Sequence, residues 1–496
     1  MWPEDFIGSR GLNLVLRIGL VLLILLFYVT AALHFSYTPD DTYIYLQYAR
    51  NIVEGNGFSF NAGEPTYGVT GPLWALLIAA GNAGGLDPFV VAKTLDLLFA
   101  GLSLIMVLRL SVEILKDPVY ALVATALVAT DAWLLRWAGS GLETSLSVLL
   151  VLLTLFYVYR TEYAIASLSA ALLTLVRPEG ALLFALVQMD NMINTRNWRL
   201  AFRVSIKSTG VYLALIAPWL IYALLTFGTV IPNTLNAKTS SGFSPESFIG
   251  VLRSEAGILL ASQGLTVALL LVGVFLVLWR SSPRKVWIEV FPLAWPLALL
   301  FFYIILNVQV VSRYLLLISP VIVIFGVWSV KKSAEFWKLR WQMSLGLLVS
   351  LVVISTAQNQ LLYYLKVVPH MEGFVRGMEE CLRPMAYELR KGGGPETSLL
   401  TPDIGLLGYV SGAKVYDTAG IVTPNVKKSF AGLTYDEGME QRVYRDIVRP
   451  DFVVDRFREP GRLESADLRE VMNCRFPSLS LMIDRQVFYT LYKGDK

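Results

Sequence analysis

Two adjacent carboxylates open the motif Pro39-Asp40-Asp41-Thr42-Tyr43, which directly follows the first long apolar run of the chain. Charged side chains beside a hydrocarbon-spanning segment are costly, so they are functional candidates by default. A carboxylate in this place can take the proton from an attacking hydroxyl group. The structural alternative is equally open, because Asp favours helix N-termini. In that alternative Asp40 is the N-cap of a short helix and Asp41 lies in its first turn.

The elements that position these residues are mostly apolar. Of the 496 residues, 55% are hydrophobic and only 16% are charged, and the mean hydropathy is +0.57. Eleven apolar runs of about 13–23 residues predict transmembrane helices. They cover residues 14–34, 89–109, 119–135, 144–159, 164–176, 181–193, 209–227, 257–279, 287–306, 314–330 and 343–365. The shorter run 72–83 contains glycine and predicts a juxtamembrane helix.

The distribution of basic residues predicts how these helices are oriented in the membrane. Arg10 and Arg17 flank the first one, and alternation of the spans places nearly every other basic cluster on the same side. The positive-inside rule assigns that side to the cytoplasm. The sequence thus predicts a multi-pass cell-membrane protein with a cytoplasmic N-terminus and an outer first loop, 35–88, that carries Asp40 and Asp41. The small net charge of +4 suggests no nucleic-acid partner.

The apolar runs end near residue 365, which divides the chain into a transmembrane domain, 1–365, and a C-terminal domain, 366–496. An odd number of spans places the second domain outside the cell. The strand-like runs 398–401, 414–417, 452–454 and 487–491 predict that it is α/β. Cys381 and Cys474, the two cysteines of the chain, both lie in it. A disulfide and separate burial are both open.

The other predicted outer loops carry further ionisable residues at the membrane edge. These are Glu143, Arg177, Glu179, Lys238 and Arg313. Each alone could be an interfacial anchor or a helix cap, but together, on the face opposite the basic clusters, they indicate a site. Lys93 and Asp96 in the second predicted span could line the same cavity, although a salt bridge between them is the simpler expectation.

The first-loop motif, with Tyr48-Ala49-Arg50-Asn51 and Gly55-Asn56-Gly57, resembles the first outer loop of GT-C-type integral membrane glycosyltransferases. The likeness is greatest to the arabinofuranosyltransferases that cap mycobacterial arabinan. It continues through residues 140–144, 177–180, 232–234, 237–238, 313–314, 403–409 and 417–420. The resemblance implies a GT-C-like fold and the transfer of a sugar, arabinofuranose being one candidate, from a polyprenyl-phosphate donor. The acceptor is an extracytoplasmic glycan, lipid or protein.

An inverting transfer of this kind needs a general base and positive charge at the departing phosphate. We expect Asp40 or Asp41 to be the base, with Asp41 favoured. For positioning of the acceptor the candidates are Glu143, Tyr43 and Glu179, and for binding of the donor phosphate they are Arg177, Lys238 and Arg313. Asp40 and Asp41 could also hold Mg²⁺, Mn²⁺ or Ca²⁺, whereas two histidines are too few for a multi-histidine zinc site.

Three alternatives compete with this interpretation. The first is a mannosyl- or other hexosyltransferase that acts on protein or lipid. The second is a transporter or flippase for lipid-linked sugars, which would place polar residues at the bilayer midplane and on both faces. The third is a non-catalytic glycan-binding relative. The sequence leaves the sugar, the acceptor, the linkage and the oligomeric state open.

Overall fold

The structure is a computed structural model that describes residues 10–238, 245–280, 283–477 and 487–494. Up to residue 362 the described chain is built from helices. These are α1 Arg10–Ala32, α2 Asp40–Val53, α3 Pro72–Ala83, α4 Pro88–Leu115, α5 Pro118–Ala129, α6 Ala132–Trp137, α7 Thr144–Tyr159, α8 Tyr163–Val176, α9 Gly180–Asn194, α10 Trp198–Phe227, α11 Asn233–Lys238, α12 Pro245–Arg280, α13 Pro283–Val290, α14 Ala294–Ile305, α15 Ser312–Leu315, α16 Ser319–Phe336 and α17 Trp341–Leu362. The run 72–83 and the predicted spans fall mainly on helix, but three predicted spans are interrupted: 119–135 between α5 and α6, 287–306 between α13 and α14, and 314–330 between α15 and α16.

Within the described ranges, four helices are long and apolar enough to cross a membrane. They are Pro88–Leu115, Trp198–Phe227, Glu246–Trp279 and Trp341–Lys391. Shorter apolar helices include Leu16–Ala32, Pro118–Ala129, Thr144–Tyr159, Tyr163–Val176 and Phe291–Ile305. The helical positions are therefore confirmed, while the count of eleven crossings and their orientation stay predictions.

Aspartates start several of these helices. Asp87 and Asp117 each precede a proline and accept hydrogen bonds from the two backbone N–H groups that follow it in α4 and α5. Asp131 caps α6 in the same way. Proline suits the first helical position because it has no N–H to satisfy there. These caps stop one helix from merging with the next.

A continuous helical run of 51 residues, Trp341–Lys391, crosses the predicted domain boundary at residue 365. After α17 it contains α18 Val368–Gly377 and α19 Arg383–Lys391, each preceded by a π-helical segment, Tyr363–Val367 and Met378–Leu382. Both α18 and α19 carry proline in the first turn, where the missing N–H and the ring disturb regular helical bonding. The helical run thus extends across the predicted boundary, and the turn of residues 392–397 connects it to the C-terminal sheet.

A five-stranded sheet follows, with β1 Ser398–Thr401, β2 Lys414–Asp417, β3 Phe452–Phe457, β4 Leu468–Phe476 and β5 Val487–Gly494 in the order β2-β1-β3-β5-β4. The β1 strand pairs in parallel with β2 and β3, and β5 pairs antiparallel with β3 and β4. The short helices α20 Gly405–Ser411, α21 Pro424–Ser429 and α22 Tyr435–Glu440 lie between strands. Four strands match the predicted runs. The sequence did not reveal β4, an edge strand that is buried only at its two ends and whose other residues alternate between half-buried and exposed and include several charges.

The two cysteines form a disulfide between Cys381, in the second π-helical segment, and Cys474, in β4. Of the two alternatives left open by the sequence, the disulfide is the one that the structure has. It fastens the edge strand of the sheet to the long helical run.

Candidate functional site

One cavity gathers most of the ionisable residues that the sequence placed in separate outer loops. It lies where the start of α2 meets the residue before α7, the loop between α8 and α9, and the short helices α11 and α15. Its walls are formed by Asp41, Ile44, Tyr45, Gly68, Val69, Thr70, Glu143, Arg177, Pro178, Glu179, Thr234, Leu235, Phe302, Tyr303, Val308, Arg313, Tyr314 and Ile421. All of these residues except Ile421 come from the helical part of the chain.

Asp41 and Arg313 form an ion pair across this cavity. Arg313 Nη2 donates to Asp41 Oδ2 at 2.5 Å, and the side chains are 10% and 44% exposed for Arg313 and Asp41, respectively. Among the three carboxylates of the cavity, Asp41 is thus the one that an incoming hydroxyl group can reach most directly. A guanidinium beside a carboxylate favours its ionised form, which is the form that accepts a proton.

The second guanidinium, Arg177, is shared by two buried carboxylates. Its Nη1 donates to Glu143 Oε1 at 3.2 Å and its Nη2 to Glu179 Oε1 at 3.0 Å. The Tyr303 hydroxyl donates to the same Glu179 oxygen at 2.8 Å. Burial alone would raise the pKa of Glu179, but Arg177 and these hydrogen bonds outweigh it and hold that pKa below its ordinary value. The group therefore stays charged near neutral pH.

Several buried polar atoms of the cavity wall have no hydrogen-bond partner within the described part of the chain. They are Glu143 Oε2, Glu179 Oε2, Arg177 Nε, Arg313 Nε and Thr234 Oγ1. Each such atom costs about 1–3 kcal/mol when it is left unsatisfied. Their concentration at one cavity indicates a surface that is made to meet a polar ligand.

The side chain of Asp40 does not line this cavity. Its Oδ2 and Oδ1 accept hydrogen bonds at 2.8 Å from the backbone N–H groups of Gly405 and Leu406, the first residues of α20. The prediction that Asp40 is the N-cap of its own helix is wrong: Pro39 is the N-cap of α2, and Asp40 binds the N-terminus of a helix 365 positions later. A side chain at Gly405 would clash with the Asp40 backbone, so glycine is required there.

Tyr43 also lies outside the cavity wall. Arg383 donates to its hydroxyl at 3.4 Å, and its ring packs against Phe89 and Tyr409. Its predicted role in positioning the acceptor is therefore not supported by contact with the cavity. The side chain of Lys238, the third predicted phosphate ligand, is outside the described residues.

Lys93 and Asp96 do not form the expected salt bridge, and neither lines the cavity. Lys93 donates to the backbone carbonyls of Phe35, Tyr37 and Gly139, at 2.5, 3.0 and 2.8 Å. Asp96 accepts from the hydroxyls of Ser140 and Ser145 and from the Gly141 N–H. Lys93 instead satisfies backbone carbonyls, and Asp96 satisfies two serine hydroxyls and one backbone N–H. Together they fix the segments that precede Asp41 and Glu143.

Tyr303 is the residue that sequence reasoning missed at this site. It stands within the apolar stretch Phe301-Phe302-Tyr303-Ile304-Ile305, where a hydroxyl must find a partner. That requirement was the available signal, although only the structure shows that the partner is Glu179.

The arrangement of the described acidic groups gives no direct support for a bound divalent cation. The described residues contain no cluster of three or more His, Cys, Asp or Glu side chains suited to a metal ion. The carboxylates of Asp40 and Asp41 face different partners, the α20 N-terminus and Arg313, so as they stand the two do not form a joint site. A metal at these residues stays a prediction.

The comparisons with known proteins agree with the resemblance seen in the motifs. The apo crystal structure of ArnT from Cupriavidus metallidurans superimposes with a TM-score of 0.56 at 14% identity, covering 94% of this chain and 97% of that one. The chain shares the fold of ArnT. The cryo-EM structure of the arabinofuranosyltransferase AftD from mycobacteria gives a TM-score of 0.51 at 15% identity, covering 97% of this chain and 40% of that one.

A sequence relative is also named as an arabinofuranosyltransferase. The terminal beta-(1->2)-arabinofuranosyltransferase of Mycobacterium tuberculosis H37Rv is 31% identical over 229 residues, which cover 41% of this chain. The match spans only 35% of the relative's length. No family model matches the chain. The chain thus resembles membrane glycosyltransferases of the GT-C type, arabinofuranosyltransferases among them.

Proposed function

We propose that this protein is an integral membrane glycosyltransferase that moves a sugar from a polyprenyl-phosphate donor to an acceptor hydroxyl group outside the cytoplasm. The observation that carries the proposal is the cavity, where an accessible carboxylate, Asp41, lies against a guanidinium beside two further buried carboxylates. The fold and the sequence relative support the same class of activity. The proposal places this cavity and the C-terminal sheet on the outer side of the membrane.

Asp41 is the proposed general base. In an inverting transfer, the acceptor oxygen attacks the anomeric carbon, the bond to the phosphate oxygen breaks, and the base takes the hydroxyl proton. Asp41 is exposed enough to meet the acceptor, and its carboxylate pairs with Arg313. We do not assign this step to Asp40, since both of its oxygens accept hydrogen bonds from the α20 N-terminus.

Arg313 is the proposed ligand of the donor phosphate, and Arg177 supports the site. Both guanidinium groups have an unpartnered Nε within the described structure, and guanidinium geometry suits phosphate oxygens. However, Arg177 already binds two carboxylates. We therefore assign it to hold Glu143 and Glu179 in place for the acceptor.

The charges of the cavity point to one further cation. Its described wall carries three carboxylates and two guanidinium groups, which leaves an excess of one negative charge. An anionic donor would be repelled by such a wall. Lys238, whose side chain lies outside the described residues, and a divalent cation such as Mg²⁺ are the two candidates for this positive charge.

The sugar and the acceptor are proposed on weaker grounds than the reaction class. Arabinofuranose is the first candidate, because the sequence relative is named as an arabinofuranosyltransferase. Another pentose or a hexose would use the same base and the same phosphate ligand.

A transfer assay with purified protein and a panel of polyprenyl-phosphate sugars tests the proposal. We expect one donor to give a product of inverted anomeric configuration with wild-type protein. Absence of transfer from every donor, in the presence of glycan, lipid and peptide acceptors, would reject the reaction class. Retention of anomeric configuration would reject direct displacement by the acceptor.

A further inference from the structure

A second groove opens on the C-terminal part of the chain. It is lined by Asn233, Thr418, Gly420, Pro424, Lys427, Lys428, Phe430, Ala431, Leu433 and Tyr435. Most of these residues belong to the segment between β2 and α22, and Asn233 comes from the start of α11. None of them is used in the proposed reaction.

The groove adjoins the cavity through a shared wall. Asn233 lines the groove and its neighbour Thr234 lines the cavity, and the same is true of Gly420 and Ile421. The two segments are tied together, because Asn233 Nδ2 donates to the Ile421 carbonyl at 3.1 Å. The cavity and the groove therefore lie side by side along these two segments.

The described lining of the groove is positively charged. It contains two lysines and no carboxylate. The acidic residues adjacent to the lining in sequence are already engaged: Asp417 accepts from the backbone N–H groups of residues 421–423, Asp436 pairs with Arg462, and Glu437 accepts from Thr434 at the start of α22. Lys428 makes its described hydrogen bond to a neutral oxygen, that of Asn425, at 3.3 Å.

The remaining lining is partly apolar. Phe430, Leu433 and Tyr435 form this part, and Thr418 and Asn233 add polar groups. Such a mixture suits a sugar ring, which has apolar faces and hydroxyl edges. The two ammonium groups suit an anion.

We propose that this groove binds the acceptor, and that the acceptor is a glycan with an anionic substituent, such as a phosphate, held by Lys427 and Lys428. The assignment to the acceptor rests on the proposed function, since the donor phosphate belongs in the neighbouring cavity. The groove would select for acceptors by charge without taking part in the bond-forming step.

Binding measured without donor tests this proposal separately from catalysis. The probes are an arabinofuranosyl trisaccharide, the same trisaccharide carrying a phosphate monoester, and inorganic phosphate. They are titrated against full-length protein in phosphatidylcholine nanodiscs. The variants are Lys428→Ala, Lys428→Arg and the double variant Lys427→Ala/Lys428→Ala. Lys391→Ala is the matched control, because this lysine is highly exposed and lies far from the groove in sequence.

We expect the phosphorylated trisaccharide to bind at least about tenfold more tightly than the neutral one, as one charge-assisted hydrogen bond allows. The double variant should lose this preference, while Lys428→Arg and Lys391→Ala should keep it. Equal affinity for both trisaccharides, no measurable binding of the phosphorylated one, or an unchanged preference in the double variant would overturn the proposal. Equally tight binding of inorganic phosphate would show a simple anion site and would also overturn it. Failure of every donor in the transfer assay would leave these binding results unaffected.

Discussion

Arg177 illustrates how the site depends on single charges. One guanidinium pairs with two carboxylates, Glu143 and Glu179, which are both buried. Removing the cation would leave two uncompensated charges close together in a medium that solvates them poorly. Breaking a buried pair in this way typically costs about 3–5 kcal/mol.

We therefore expect Arg177→Leu to lower the unfolding temperature strongly and to abolish transfer. Arg160→Leu is the control, since its ion pairs with Glu113 and Glu162 are exposed and such pairs are worth at most about 1 kcal/mol. Thermal unfolding in detergent measures both variants. Equal unfolding temperatures for the two would show that the pairs of Arg177 contribute little to stability.

Asp40 gives a prediction about pH. Burial, followed by repulsion from Asp403, raises the pKa of this carboxyl from 3.8 to about 7. The folded protein then holds the Asp40 proton more tightly than the unfolded chain does. The contribution of Asp40 to stability is fully present below about pH 4, and it is lost as pH rises through 7.

Asp40→Asn removes this titration and keeps a side-chain oxygen that can accept from the α20 backbone. We expect wild-type protein to lose stability relative to Asp40→Asn between pH 4.5 and pH 8. Unfolding temperatures across this range measure the difference, because groups that are common to both proteins cancel. Parallel curves would contradict the raised pKa.

The sequence predicted which residues carry chemistry better than it predicted their partners. The structure brings together in one cavity Asp41, Glu143, Arg177, Glu179 and Arg313. These residues could be recognised in the sequence because charged side chains at the membrane edge are costly. The separation of Asp40 from Asp41 could not be predicted. Adjacent residues on a helix point in directions about 100° apart, and the partner of Asp40 lies in a distant part of the chain.

At the scale of elements, long apolar runs predicted helices correctly, whereas the polar strand β4 was not predicted. The helices follow from continuous hydrophobicity, and strands β1, β2, β3 and β5 from short β-branched or aromatic runs. Strand β4 is buried only at Leu468 and Phe476, with exposed and half-buried residues between them, so its hydrophobic signal is weak. Its place at the sheet edge is held in part by the disulfide to Cys381.

The disulfide yields a prediction at this scale. Cys381 and Cys474 are separated by 93 residues, and closing a loop of that length restricts the unfolded chain considerably. We expect Cys381→Ser/Cys474→Ser to lose about 2–5 kcal/mol of stability and to show little change in transfer at low temperature. Protection of the sheet against limited proteolysis, compared between wild type and variant, checks this. Undiminished protection in the variant would show that the sheet does not depend on the bond.

At the scale of the whole molecule, the proposed reaction requires the cavity and the sheet to lie on the side of the membrane opposite the basic loops. Single cysteines at two exposed positions test this, since both native cysteines are bonded to each other. Glu396→Cys, before β1, should react with a membrane-impermeant maleimide added to intact cells. Arg196→Cys, between α9 and α10, should react only after permeabilisation. The reverse pattern would place the site inside the cell.

The central claim is that Asp41, and not its neighbour, takes the proton of the acceptor. Transfer rates of Asp41→Asn and Asp40→Asn, measured with the donor that wild-type protein uses, test it most directly. The pair is matched in chemistry, and only Asp41 lines the cavity. We predict that Asp41→Asn lowers kcat by about 10²–10⁴-fold, the usual contribution of a general base, and that Asp40→Asn retains most of the activity. Full activity of Asp41→Asn, or an equal loss in both variants, would contradict the account.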